Sequence, residues 1–68
     1  MKQNVELTFI ANDVESETVK FIRLIPRHGA CLWEVRSFRP QEVDRMLMIS
    51  VDEYEARDYF RIYIERFL

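Results

Sequence analysis

The stretch Ile25-Pro26-Arg27-His28-Gly29-Ala30-Cys31-Leu32-Trp33-Glu34-Val35-Arg36-Ser37-Phe38 constrains this chain most. It carries the only glycine, the only cysteine and the only tryptophan, and one of 2 prolines. Pro26 has no N–H and clashes with a preceding helical turn, so a helix arriving from the N-terminal side should end near Ile25. Gly29 reaches positive φ without steric cost, which suits a turn. Beyond it Cys31, Trp33 and Val35 alternate with Leu32, Glu34 and Arg36, the period of a strand, predicted over Ala30–Phe38. Cys31, Trp33 and Val35 should face a core, and Glu34 and Arg36 solvent or a partner.

Upstream, Val5, Leu7 and Phe9 alternate with Glu6 and Thr8, a first strand over roughly Asn4–Ala11. Asn12 with Glu15 three residues on resembles a capping box, and Val14, Thr18, Phe21, Ile22 and Ile25 recur at helical spacing. The spacing predicts a helix from Asn12 to Ile25. The competing reading is a strand over Thr18–Ile25, since valine, phenylalanine and isoleucine favour strands, with Pro26–Ala30 closing a hairpin. Downstream, Arg39–Asp44 reads as a loop, and Leu47, Ile49 and Val51 form one face of a third strand led by Arg45. A helix over Gln41–Ser50 is the alternative there. Asp52 with Glu55 opens a last helix to Leu68, its stripe formed by Ala56, Phe60, Tyr63 and Phe67, although Phe60–Leu68 also suits an extended end. Glu53 and Arg57 stand in the favourable i, i+4 order.

The expected architecture is α+β, a single domain over residues 1–68 of order β-α-β-β-α. This is the ferredoxin-like split βαβ pattern with its last strand missing, which leaves the first strand as an open edge. The alternative order is βββαα, with an N-terminal three-stranded antiparallel meander.

Sixty-eight residues bury only about 60% of their unfolded surface, so a chain of this length gains from an oligomeric partner. The net charge of −2 argues against a nucleic-acid binder, and no apolar run approaches the roughly 20 residues of a membrane span. A single cysteine precludes an intrachain disulfide and fits a reducing, cytoplasmic location. Two of the 10 cations are lysines, Lys2 and Lys20, so eight are arginines, which suit bidentate pairing at protein interfaces.

No catalytic, cofactor-binding or metal site is predicted. His28 reads as a turn histidine and Cys31 as a packed thiol; neither has the neighbours that nucleophilic or metal chemistry requires. Asp52, Glu53 and Glu55 are explained by the start of a helix. Tyr54, Arg57, Tyr59 and Arg61 are the candidate partner-binding residues, because tyrosine and arginine are enriched where proteins meet.

The strand Val5–Ile10, the Asn12-Asp13 turn, the run Glu17–Ile25, Arg27-His28-Gly29, and the arginine-led strand Arg45–Val51 together resemble an ACT domain, closest to the short regulatory subunit of acetohydroxyacid synthase. The resemblance covers roughly residues 4–60. It implies a non-catalytic domain that self-associates and docks on a larger amino-acid biosynthetic enzyme. Asn12 and Asp13 match the turn that binds a small amino-acid effector. The second functional reading is a small accessory protein of a phage or mobile element that binds and blocks a host complex.

Overall fold

The structure, a computed structural model, describes residues 1–68. The protein is α+β. Strands β1 (Lys2–Ile10), β2 (Thr18–Ile25), β3 (Leu32–Phe38) and β4 (Arg45–Ser50) precede one helix, α1 (Glu53–Glu65). The strands form an antiparallel meander in the order β1-β2-β3-β4, so β1 and β4 are both edges. The helix returns across β2, β3 and β4 and covers one face of the sheet. The result is a two-layer slab, 41 × 24 × 15 Å.

The helix expected between the first two strands is absent; Thr18–Ile25 is a strand instead. The physical reason is burial on both faces. β2 lies between β1 and β3, with Val19 and Phe21 under the helix and Ile22 and Leu24 on the other face, all four buried. Apolar residues on both faces erase the two-residue alternation and leave a run that imitates helical spacing. The apparent cap is a turn: the Ser16 N–H donates to Asp13 Oδ1 at 2.8 Å, and Ser16 takes φ 52°. Pro26 and Gly29 (φ 92°) therefore close a β2–β3 hairpin. The alternative order βββαα anticipates the antiparallel meander of the first three strands, but Arg45–Ser50 is a fourth strand and only α1 is helical.

Two bulges decide which residues reach the core. One lies between Val5 and Leu7: Val5 pairs with Ile22 but Leu7 with Phe21, so Val5 and Leu7 take opposite faces of β1. The other breaks the β3–β4 register between Val35 and Arg36. Beyond it Leu47 and Met48 both pack on the core while Ile49 lies on the far face, so Leu47 and Ile49 do not share a side.

The core is Val19, Phe21, Val35, Ala56 and Phe60, walled by Phe9, Trp33 and Phe67. Trp33 stacks on Phe21 at 5.4 Å and Phe9 on Phe67 at 5.9 Å. Trp33 and Val35 pack in this layer as anticipated, whereas Cys31 lies half-buried before β3 begins. Asp52 caps α1, its carboxylate accepting from the N–H groups of Tyr54 (2.9 Å) and Glu55 (3.4 Å).

Candidate functional site

Three places on this slab carry polar or apolar groups beyond what the core requires. The first is a buried ionic node at one end of the sheet. Glu17, just before β2, is fully buried. Its Oε1 accepts from Arg39 Nη2 at 2.6 Å and Nε at 2.9 Å, and its Oε2 accepts from the Tyr63 hydroxyl at 2.6 Å. Arg39 also meets Glu15 at 3.1 Å and Glu42 at 3.9 Å. Burial pushes the Glu17 carboxyl up, but the hydrogen bonds from Tyr63 and Arg39 outweigh it and hold the group below its ordinary value. Burial, then the bond to Glu17, raises the Tyr63 hydroxyl. Every charge here has a partner, and the node ties the β1–β2 loop, the β3–β4 loop and the end of α1 together. Its geometry is that of a structural clamp. No local pattern in the sequence marks this role of Glu17, since its partners lie 22 and 46 residues away.

The second place is the outer surface of α1. Tyr54, Arg57 and Arg61 line one exposed stripe together with Asp52, Glu55 and Asp58. Tyr59 lies apart from them, beside Ile62, Tyr63 and Arg66, with its ring stacked on Tyr63 at 6.3 Å. The structure therefore gathers three of the four tyrosine and arginine candidates and separates the fourth. The charges of the stripe are already satisfied within the helix: Arg57 pairs with Glu53 at 3.1 Å, and Arg61 with Asp58 at 2.6 Å and Glu65 at 3.0 Å. The Arg57 guanidinium also lies 5.2 Å from the Phe21 ring centre. Only Tyr54, at 78% exposure, projects an apolar body from this stripe.

The third place is the face of the sheet that the helix leaves uncovered. The pairing Val5–Ile22–Glu34–Ile49 runs straight across all four strands on that face. Leu24 pairs with Leu32 on one side of this row, and Lys20 with Arg36 and Arg36 with Met46 on the other. Val5, Met46 and Ile49 are 48%, 51% and 45% exposed. At the centre lies one ion pair. Arg36 Nε donates to Glu34 Oε1 at 2.6 Å and its Nη2 to Oε2 at 3.3 Å, which raises the Arg36 pKa. The Glu34 side chain is only 4% exposed, so the anion is neutralised within its own strand and lies level with its apolar neighbours. Lys20, the other cation, places its amine 4.8 Å from the Phe38 ring centre. The alternation of Trp33, Glu34, Val35 and Arg36 placed Glu34 and Arg36 opposite the core; the burial of Glu34 could not be read that way.

Asn12 and Asp13 lie exposed in the β1–β2 loop. The Asp13 carboxylate is engaged by the Ser16 N–H, and its carbonyl accepts from the same N–H at 3.2 Å. His28 is exposed in the β2–β3 turn. No helix is long and apolar enough to cross a membrane. No family model, curated protein or solved structure matches this chain.

Proposed function

We propose that this protein is a non-catalytic protein-interaction module that binds through the uncovered face of its sheet. One observation carries the reading: a row across that face is apolar on three of its four strands (Val5, Ile22 and Ile49), and the anion that β3 contributes to it, Glu34, is already paired. Exposed apolar surface costs free energy in water, about 25 cal/mol per Å², which a docking partner recovers. The helix stripe supports a weaker surface. Its ion pairs are solvent-exposed and self-contained, and such pairs contribute little to binding.

Two narrower versions share this geometry. In one, which the ACT resemblance motivates, the module self-associates and docks on a larger amino-acid biosynthetic enzyme, with Asn12 and Asp13 at an effector turn. In the other, it is an accessory protein that blocks a host complex. They differ in what the module captures and in whether a branched-chain amino acid alters the capture.

The test is capture from source-cell extract by tagged protein, with Ile49→Lys and Met46→Lys compared with Tyr54→Ala and Arg61→Ala. Both substituted face positions are half-exposed, so the fold should tolerate lysine there. The proposal expects at least a tenfold loss of the captured protein for the face variants and retention for the helix variants. The reverse pattern would move the binding surface to α1 and overturn the reading.

A further inference from the structure

We infer that the uncovered face takes an amphipathic helix of a partner protein, one whose apolar stripe carries a carboxylate that meets Lys20. The inference rests on the proposal that this face is the binding surface, and it adds the form and the charge of what binds there.

Lys20 and Arg36 are register partners on β2 and β3, so two cations lie directly opposite each other in the middle of this face. Like charges in that position destabilise a sheet. Arg36 is compensated: Glu34 pairs with it within β3, and Asp44 acts on it from the β3–β4 loop. Lys20 is not. It forms no ion pair, and its amine rests against the Phe38 ring. The same row continues to Thr8 on one side and Met46 on the other, and neither brings a carboxylate. An uncompensated cation held at a cost beside an apolar row marks a surface that an anion from outside completes.

The form of the occupant follows from the backbone. β2 and β3 each pair with a strand on both sides, so the middle of the face has no ladder N–H or C=O to offer. An extended segment lying there would give up its backbone hydrogen bonds to water and receive none in return. A helix satisfies its backbone internally and brings a stripe of side chains. The opposite face of this sheet is covered in that way by α1, 13 residues long. A helix of about 15 residues is about 22 Å long, which matches the span of β2 and β3 at about 3.3 Å per residue. It would complete a helix–sheet–helix sandwich. A second copy of the chain fits less well. It brings another Lys20, and the carboxylate on its own face, Glu34, is 4% exposed and already paired.

Two synthetic amphipathic helical peptides of about 15 residues serve as probes, each with a leucine stripe, one with glutamate at its centre and its twin with lysine there. In fluorescence anisotropy titrations the glutamate peptide should bind at least about tenfold more tightly, and the difference should shrink as salt rises from about 50 to about 500 mM. Lys20→Glu should invert the preference, and Ile49→Ser should weaken both peptides. Equal binding of the two peptides overturns the inference; if Ile49→Ser abolishes that equal binding, the binding-face proposal survives. Binding of neither peptide also overturns it, and the capture experiment then decides the binding face by itself.

Stability supplies an independent readout. Lys20→Glu lays a carboxylate across from Arg36 and should raise the melting temperature by about 2–5 °C while it removes the preference for the glutamate peptide. A lower melting temperature would mean that Lys20 is not held at a cost, and would overturn the inference.

Discussion

Single residues at the ends of the hairpins set much of the stability of so small a chain. A domain of this length holds about 3–10 kcal/mol in total. Tyr63→Phe removes one hydrogen bond to the buried Glu17 carboxylate and should cost about 1.5–2 kcal/mol in urea unfolding. The pH dependence has a definite sign. The Glu17 carboxyl in the fold titrates below its ordinary 4.5, so the unfolded chain binds the proton first. Its contribution is present at neutral pH and is lost as pH falls from the ordinary value through the lowered one. Glu17→Gln should flatten that acid arm of the stability curve; an unchanged arm would assign the acid sensitivity to other carboxylates. Gln41 takes φ 62° after Pro40, in a turn closed by the Glu42 N–H on the Arg39 carbonyl at 3.2 Å. Gln41→Gly should therefore stabilise the protein by up to about 1 kcal/mol, measured as a rise in melting temperature. None of this was visible locally. Arg39 and Tyr63 meet Glu17 only after the meander has closed.

At the scale of elements, the sequence is informative where one face of an element is wet. In α1 the Asp52 cap, the Glu53–Arg57 pair and the stripe of Ala56 and Phe60 all stand where spacing placed them. Asp52→Ala should cost about 1 kcal/mol, seen as a lower urea midpoint with an unchanged slope. In β3 the alternation around Trp33 and Val35 was equally clear. It failed in β2, where Val19, Phe21, Ile22 and Leu24 are buried on both sides and the two cations, Lys20 and Arg23, lie on opposite faces, so that neither marks one. It failed again at the bulges of β1 and β4, where one extra residue switches the side on which Leu7, Leu47 and Ile49 lie. A bulge depends on how two strands fit together, and neither strand announces it alone. Phe60→Ala, at the crossing of α1 over Phe21, should cost about 3–4 kcal/mol, a large share of the whole, and should leave the chain largely unfolded at 37 °C by circular dichroism.

The whole molecule is a slab with one covered and one uncovered face, and that asymmetry is its most informative property. Its edges, β1 and β4, and its uncovered apolar row both arise from the meander, which lays four strands side by side and provides one helix to cover them. The candidate tyrosines and arginines of α1 were legible in the sequence as a patch, but folding pairs Arg57 and Arg61 within the helix and sets Tyr59 apart. The uncovered row was not legible, because Val5, Ile22, Glu34 and Ile49 come from four separate segments. The proposal that this row is the binding surface is tested most directly by methyl NMR of the isoleucine, leucine and valine side chains with and without the captured partner. Shifts at Val5, Ile22, Leu24, Leu32 and Ile49, with Val43 and Ile62 unmoved, are the predicted result. Shifts confined to Ile62 and its neighbours on α1, or a spectrum unchanged by the partner, would contradict it.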